Sequence, residues 1–158
     1  MRIAITGSPA TGKTEVARAL AGMLKYRLVE LNALAEKKGF YCGYDKERRC
    51  RIVDVESLVR EIKKIEGDII MESHYAHDMP CDVIIVLRAI PGELHKRMEK
   101  KGWDAEKVEE NIEAEIMGVC AEEAKATGKK FMEIDTTGKS PRIAAEEIVK
   151  ALKGMNII

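Results

Sequence analysis

A short apolar stretch, Arg2-Ile3-Ala4-Ile5-Thr6, runs straight into Gly7-Ser8-Pro9-Ala10-Thr11-Gly12-Lys13-Thr14. Beyond it Val16, Ala17, Leu20, Ala21 and Leu24 recur at helical spacing. The order predicts a strand, a tight loop and a helix in succession, and the loop fits G-x-x-x-x-G-K-T without departure. The chemistry needs these residue types. Glycines let the chain turn tightly, so that successive N–H groups point inward at anionic oxygens. A helix opening at Lys13 adds the positive end of its dipole. Lys13 supplies a mobile cation for the β- and γ-phosphates of ATP, and the Thr14 hydroxyl suits Mg²⁺. A dinucleotide loop needs G-x-G-x-x-G, a triplet this chain lacks.

The pattern that starts with this loop continues to the end of the chain. Arg27–Leu31, Asp68–Glu72, Asp82–Arg88 and Lys130–Asp135 read as further strands. Between them Asp54, Asp104 and Ser140 stand where helix N-caps are expected, the last followed by Pro141 at the first helical position. The helix after Asp104 is expected to run to about Lys125, with Val108, Ile112, Ile116, Val119 and Cys120 inward. Five strands, most of them continuously apolar, alternating with helices predict an α/β, three-layer domain around a five-stranded parallel sheet. No repeat or linker divides residues 1–158, so one domain is expected. Two excursions stand out. The stretch 30–53 reads as irregular, and 100–110 follows the helix Pro91–Lys101.

Charge narrows the choice of partner. The 27 basic residues balance 27 acidic ones, which argues against a general electrostatic grip on nucleic acid or membrane. The longest strongly apolar run, Val83–Leu87, is a strand-sized segment, far short of a membrane span. Cys42, Cys50, Cys81 and Cys120 form no C-x-x-C pair, so free thiols and a cytoplasmic setting are expected.

A phosphate loop needs a carboxylate at a neighbouring strand end to orient Mg²⁺ and its waters, and Glu72 is the candidate, with Thr14 as the second metal-side residue. His74, two residues on, is the candidate for polarising an attacking water. The alternative is a solvated strand end and a loop histidine. Arg88, at a strand end, and Arg97, with Lys100 and Lys101 behind it, are candidates for neutralising the migrating phosphoryl group. Lys139, after Thr136-Thr137-Gly138, is placed to line a base site. Lys46, Arg48, Arg49 and Arg51 put four cations within six residues of the first excursion, suited to an acceptor phosphate, to RNA or to a protein.

With these residues in view, the chain resembles the small adenylate-kinase-like ribosome-assembly ATPases, archaeal relatives of the coilin-interacting nuclear ATPase. The markers are Gly7–Thr14, Gly43-Tyr44-Asp45 with Ile52-Val53-Asp54, and Glu72-x-His74. Val86-Leu87-Arg88, Arg97 before Lys101-Gly102-Trp103, and Asn111-Ile112-x-x-Glu115-Ile116 complete them. The resemblance implies a nucleoside monophosphate kinase fold, ATP and AMP or a related monophosphate as substrates, Mg²⁺, and a separate ATPase activity. It also implies a role in small-subunit and 16S rRNA maturation through ribosomal protein uS11, with rRNA contact as a further expectation. By the same resemblance 30–53 is a monophosphate-binding arm and 100–110 a lid. Catalysis falls to Lys13, Glu72, His74 and Arg97, and ATP contacts to Ala10, Gly12, Lys13, Thr14, Glu15, Lys101 and Lys139. Lys101 and Glu36 stand where family members carry arginine, and Glu72 stands for an aspartate. Lysine keeps a point charge but loses the bidentate fork. Two other readings stay open: a kinase of another small metabolite, and a nucleotide-switched assembly factor with ATPase but little kinase activity.

Overall fold

The computed structural model describes residues 1–158. Its strands are β1 Arg2–Gly7, β2 Arg27–Glu30, β3 Tyr41–Asp45, β4 Cys50–Val53, β5 Ile69–Glu72, β6 Val83–Arg88 and β7 Lys130–Asp135. The helices are α1 Lys13–Leu24, α2 Leu31–Lys38, α3 Val55–Lys63, α4 Pro91–Lys100, α5 Ala105–Ile116, α6 Val119–Ala126 and α7 Pro141–Gly154. Five strands form one sheet in the order β2-β5-β1-β6-β7, every pair parallel. The expected architecture is therefore present, with an antiparallel β3–β4 hairpin added outside the sheet.

Strand alternation explains the three layers. Ile3 and Ile5 of β1 point to one face with Ile85 and Leu87 of β6, where Val16 and Leu20 of α1 and Ile148 and Leu152 of α7 cover them. Ala4 points to the other face with Met71, Ile84 and Val86, under Leu31 of α2, Leu58 and Ile62 of α3 and Ala124 of α6. Both faces are dry, so the central strands carry no polar alternation. Truncating a side chain such as Ile85, fully buried in this layer, to alanine costs about 2–5 kcal/mol. β1 lies in the middle, and the chain leaves it toward β2 on one side and reaches β6 on the other. The carboxyl ends beside such a reversal are where parallel sheets build ligand sites, and the loop Gly7–Thr14 emerges there.

The structure corrects two expectations. The stretch 30–53 is ordered secondary structure: α2 followed by the hairpin. Leu31 and Ala35, one helical turn apart, are buried against the sheet, and so short a helix offers little periodicity to read. The helix after Asp104 does not run to Lys125. It breaks at Met117 and Gly118, where the φ of Gly118 is +66°. That left-handed turn ends α5 and re-aims the chain into α6. Ile116 is 64 % exposed and Val119 is also exposed, against the inward placement expected of both. The inward position at the end of α5 belongs to Glu115. The N-caps stand as expected: Asp54, Asp104 and Ser140 accept hydrogen bonds from the backbone N–H of Ser57, Lys107 and Ile143.

Candidate functional site

The phosphate loop is held tightly from beneath. A Cβ on Gly7 would lie 2.6 Å from the carbonyl oxygen of Leu87, so only glycine lets β1 approach β6 at this point. Ala10 adopts a φ of +65°, an uncommon cost for a residue with a side chain, and is buried. Strain of this kind concentrates at ligand sites. Gly12 is the N-cap of α1, and no side chain caps that end. Its free N–H groups are the anion-binding element of the loop.

Lys13, Thr14 and Glu72 meet at one end of the loop. The Lys13 Nζ donates to the Ser8 carbonyl at 3.1 Å, and the Thr14 hydroxyl donates to Glu72 Oε1 at 3.1 Å. Burial pulls the Lys13 pKa down, and the nearby Glu72 carboxylate opposes it. Burial pushes the Glu72 carboxyl up, against the Thr14 hydrogen bond and the Lys13 charge. Phosphate beside Lys13 and a divalent cation beside Glu72 each favour the charged form. A hydroxyl and a carboxylate are hard oxygen donors of the kind Mg²⁺ takes while keeping most of its waters.

A cavity of about 410 Å³ extends from the other side of the loop. It brings together Ala10, Gly12, Glu15, Arg97, Lys101 and Lys139, all foreseen for ATP or catalysis. Arg97, half-buried, donates to the Ala10 carbonyl at 3.1 Å and to the Thr136 carbonyl at 3.3 Å. It therefore braces the loop as well as lining the cavity. Lys139 Nζ is paired with Glu147 at 2.7 Å. Lys101 lines the cavity at the start of the turn between α4 and α5, and further along that turn the Trp103 ring has the Lys107 ammonium 4.0 Å above it. Lys100, Thr136, Pro141 and Ala144 also line the space. Of these, Thr136 carries structural weight: its single hydroxyl proton is shared between the Thr11 carbonyl at 2.9 Å and the Arg88 carbonyl at 3.0 Å, tying the loop to β6 and β7.

His74 lies on the loop after β5. Its carbonyl accepts from the Thr6 hydroxyl at 3.0 Å, and its ring stands edge-on to Tyr75 with centroids 4.9 Å apart. Displaced water, and then the Lys13 charge, lower the His74 pKa. At neutral pH the ring is therefore the uncharged form, able to accept a hydrogen bond from water. His77, which the sequence left unassigned, is buried with Nδ1 3.1 Å from the Thr6 hydroxyl and Nε2 3.3 Å from Glu123.

The arm closes this side. The Tyr75 hydroxyl donates to Asn32 Oδ1 at 2.7 Å, and burial pushes its pKa up to about 12. Glu36 accepts from the Tyr41 hydroxyl at 2.7 Å and pairs with Arg51, whose guanidinium lies 4.0 Å over the Tyr41 ring. The hydrogen bond from Tyr41, then the Arg51 charge, hold Glu36 below the usual carboxylate range. The carboxylate that stands in an arginine position is thus neutralised by an arginine fifteen residues later.

Arg88 is not a wall of the 410 Å³ cavity. Its Nε donates to Glu115 Oε1 at 2.5 Å and its Nη1 to Glu133 at 2.7 Å. The other oxygen of Glu115 accepts from the Ser8 hydroxyl at 2.6 Å. Sequence reasoning named Glu115 as a family marker and gave it no role. An acid in a register otherwise filled by apolar residues was the available signal.

Strand, loop, helix and cavity define a P-loop phosphotransferase of the kinase type, and comparison with known proteins agrees. A family model described as an AAA domain matches residues 3–118. A "Putative adenylate kinase" of Methanocaldococcus jannaschii is 38 % identical over 156 residues, covering 97 % of this chain and 86 % of the relative. One of Methanothermobacter thermautotrophicus is 38 % identical over 160 residues, covering 98 % and 91 %. The chain belongs to this family of P-loop kinase domains. Among solved structures, shikimate kinase from Acinetobacter baumannii superposes with a TM-score of 0.70 at 14 % identity, covering 99 % of this chain and 95 % of that one. Deoxyadenosine kinase from M. mycoides gives 0.65 at 15 % identity, covering 98 % and 100 %. At such identities the likeness is one of fold.

Proposed function

We propose that the chain is a nucleoside monophosphate kinase that transfers the γ-phosphoryl group of ATP reversibly to AMP or a related monophosphate, with slow ATP hydrolysis as a side activity. One observation carries the reading: Lys13, Thr14 and Glu72 converge at the end of a phosphate loop that opens on a nucleotide-sized cavity. The names of the relatives point the same way. Phosphoryl transfer needs little covalent help from protein, so catalysis rests on positioning and on charge. Lys13 follows the charge of the migrating group. Thr14 and Glu72 would hold Mg²⁺, which draws charge off the phosphate oxygens when bound. Arg97, already on the loop's Ala10 carbonyl, is close enough to assist. Neutral His74 orients the water in the hydrolytic branch. Coupled turnover with and without AMP on one preparation tests this: AMP should raise ADP formation several-fold, and hydrolysis indifferent to AMP would overturn it.

We propose the part in small-subunit maturation, through ribosomal protein uS11 or rRNA, from the resemblance. The observation favouring it is the exposed basic turn Lys46–Arg49 on the hairpin. A pull-down of purified uS11, with and without ATP, tests it.

A further inference from the structure

We infer that Glu115 is a positioning residue that ties the helix following the lid turn to the phosphate loop through Ser8. The inference rests on the phosphate-loop reading above. Phosphate is gripped by backbone N–H groups in such loops, which leaves the Ser8 side chain without an evident duty. Yet Ser8 is 3 % exposed, and its hydroxyl donates at 2.6 Å to a carboxylate 107 residues away. Glu115 is equally buried and divides its oxygens. Oε2 takes Ser8, while Oε1 takes Arg88 Nε and, at 3.4 Å, the Ala89 N–H. Arg88 Nη2 adds a 2.9 Å hydrogen bond to the carbonyl of Glu115 itself. A buried charge is retained only where its partners are complete, and here the cluster joins three elements. β1 leads into Ser8, β6 ends in Arg88, and α5 carries Glu115.

The consequence lies in what else Ser8 holds. Its carbonyl is the acceptor for the Lys13 ammonium at 3.1 Å. The hydroxyl fixed by Glu115 and the carbonyl holding Lys13 belong to one residue, so the carboxylate sets where the phosphate-binding lysine rests. At its other end α5 starts just after the Lys101–Asp104 turn, whose Lys101 lines the cavity. Any tilt of that turn over nucleotide pivots α5 near the Glu115 anchor and is felt at Ser8. Glu115 touches no substrate; it acts through Ser8 and Lys13.

The test uses the full chain and the magnesium complex of β,γ-imido-ATP, which binds without phosphoryl transfer. Affinity is measured by calorimetry at 20 °C on wild type, Ser8→Ala, Glu115→Gln and the double variant, each shown folded by circular dichroism. Ser8→Ala should weaken binding of this analogue about tenfold, the lower end for loss of a hydrogen bond to a charged group. Glu115→Gln should match it, and the double variant should be no worse than either. A merely structural Glu115 would lower the melting temperature and leave the affinity of folded molecules unchanged. That outcome, or fully additive losses, overturns the inference. Should Glu115→Gln not fold, Ser8→Ala decides alone, because it leaves the Arg88–Glu115 pair in place. If wild type itself binds none of the analogue, the loop reading falls, and this inference with it. If wild type binds and Ser8→Ala equals it, only the positioning role fails.

Discussion

Inward-turning groups of the phosphate loop each meet a partner fixed in the core: Ser8 meets Glu115, Thr11 meets Thr136, and Ala10 meets Arg97. The β3–β4 arm is built the other way. Cys42, Gly43, Tyr44 and residues 46–52 are exposed, and the pairs that tie the arm together, Arg51 with Glu36 and Arg48 with Asp45, lie in solvent. Exposed pairs of this kind contribute little to stability. On the proposed function the arm is the acceptor side; the donor side is then preorganised by buried hydrogen bonds, and the acceptor side is left to side chains that can rearrange. In phosphoryl transfer the fixed part does the electrostatic work, and the adjustable part admits and covers the second substrate. Substitutions on the two sides should therefore differ in size and in kind.

The largest effect is expected at Lys13. Lys13→Ala removes the cation that follows the transferring group, a loss of roughly 3–4 kcal/mol or about a hundredfold to a thousandfold in rate. Steady-state turnover at saturating MgATP measures it. The melting temperature should barely move, because the ammonium has a single carbonyl partner. Near-normal turnover would remove the loop from the mechanism and the contrast with it.

Glu72→Gln comes next, with opposite signs on activity and stability. Loss of a residue orienting metal-bound water costs about 10–100-fold, in transfer and hydrolysis alike. Stability should rise at neutral pH. Burial raises the Glu72 carboxyl pKa in the folded chain. The protonated form is therefore favoured by folding, and this contribution is complete below the ordinary carboxyl pKa. It is lost as pH climbs through the raised value. Glutamine keeps the Thr14 hydrogen bond and carries no charge. Melting curves without nucleotide should place Glu72→Gln above wild type at pH 7.5, with the gap closing toward pH 4. A variant less stable at both pH values would deny that burial is the cause.

His74→Ala sharpens the comparison, because His74 lies between the two sides. Hydrolysis should fall roughly tenfold, short of the ~100-fold or more of a full general base, since the ring orients water rather than taking its proton. Transfer to AMP, which needs no water, should change less than about threefold on the same grounds. Equal losses in both reactions, measured on one preparation, would reject the division of roles.

The two sides also differed in how far they could be read from sequence. The donor side is local: the loop, its strand and its helix lie within 24 residues, and spacing alone placed Lys13 and Thr14. Glu72 was legible as a strand end, and pairing of β5 with β1 put it beside the loop. What escaped was long-range. Nothing near Ser8 announces Glu115, and nothing near Thr11 announces Thr136. Ile116 and Val119 were expected inward because a continuous helix keeps its apolar stripe, and Gly118 interrupts it. The arm looked irregular because α2 has eight residues and the hairpin carries a bulge between Tyr41 and Gly43, which breaks the alternation that marks a strand.

The smallest effect on ATP chemistry is expected from the basic turn. The four cations do not act as one. Arg51 is spent on Glu36 and Tyr41 inside the arm. The turn itself is shaped by Asp45, whose Oδ1 accepts from the N–H of Glu47 and Arg48, both at 3.0 Å, and Arg49 takes a φ of +52°. Arg48 is near enough to His74 that its charge joins burial and Lys13 in lowering the ring's pKa. All of Lys46, Arg48 and Arg49 are exposed, and of these only Arg48 influences His74. Arg48→Glu should raise the Michaelis constant for AMP roughly tenfold, the loss of one charge-assisted contact. ATPase without AMP should stay within about twofold, as for a surface substitution away from the loop. Arg49→Glu should leave both constants alone, and any weakening of the proposed uS11 or rRNA binding should shrink as salt is raised. If the Arg48 charge matters to neither AMP nor partner, the arm's cations only keep it soluble. If Arg49→Glu alone lowers basal ATPase, the arm is wired to the phosphate loop, and the division between a fixed donor side and an adjustable acceptor side is wrong.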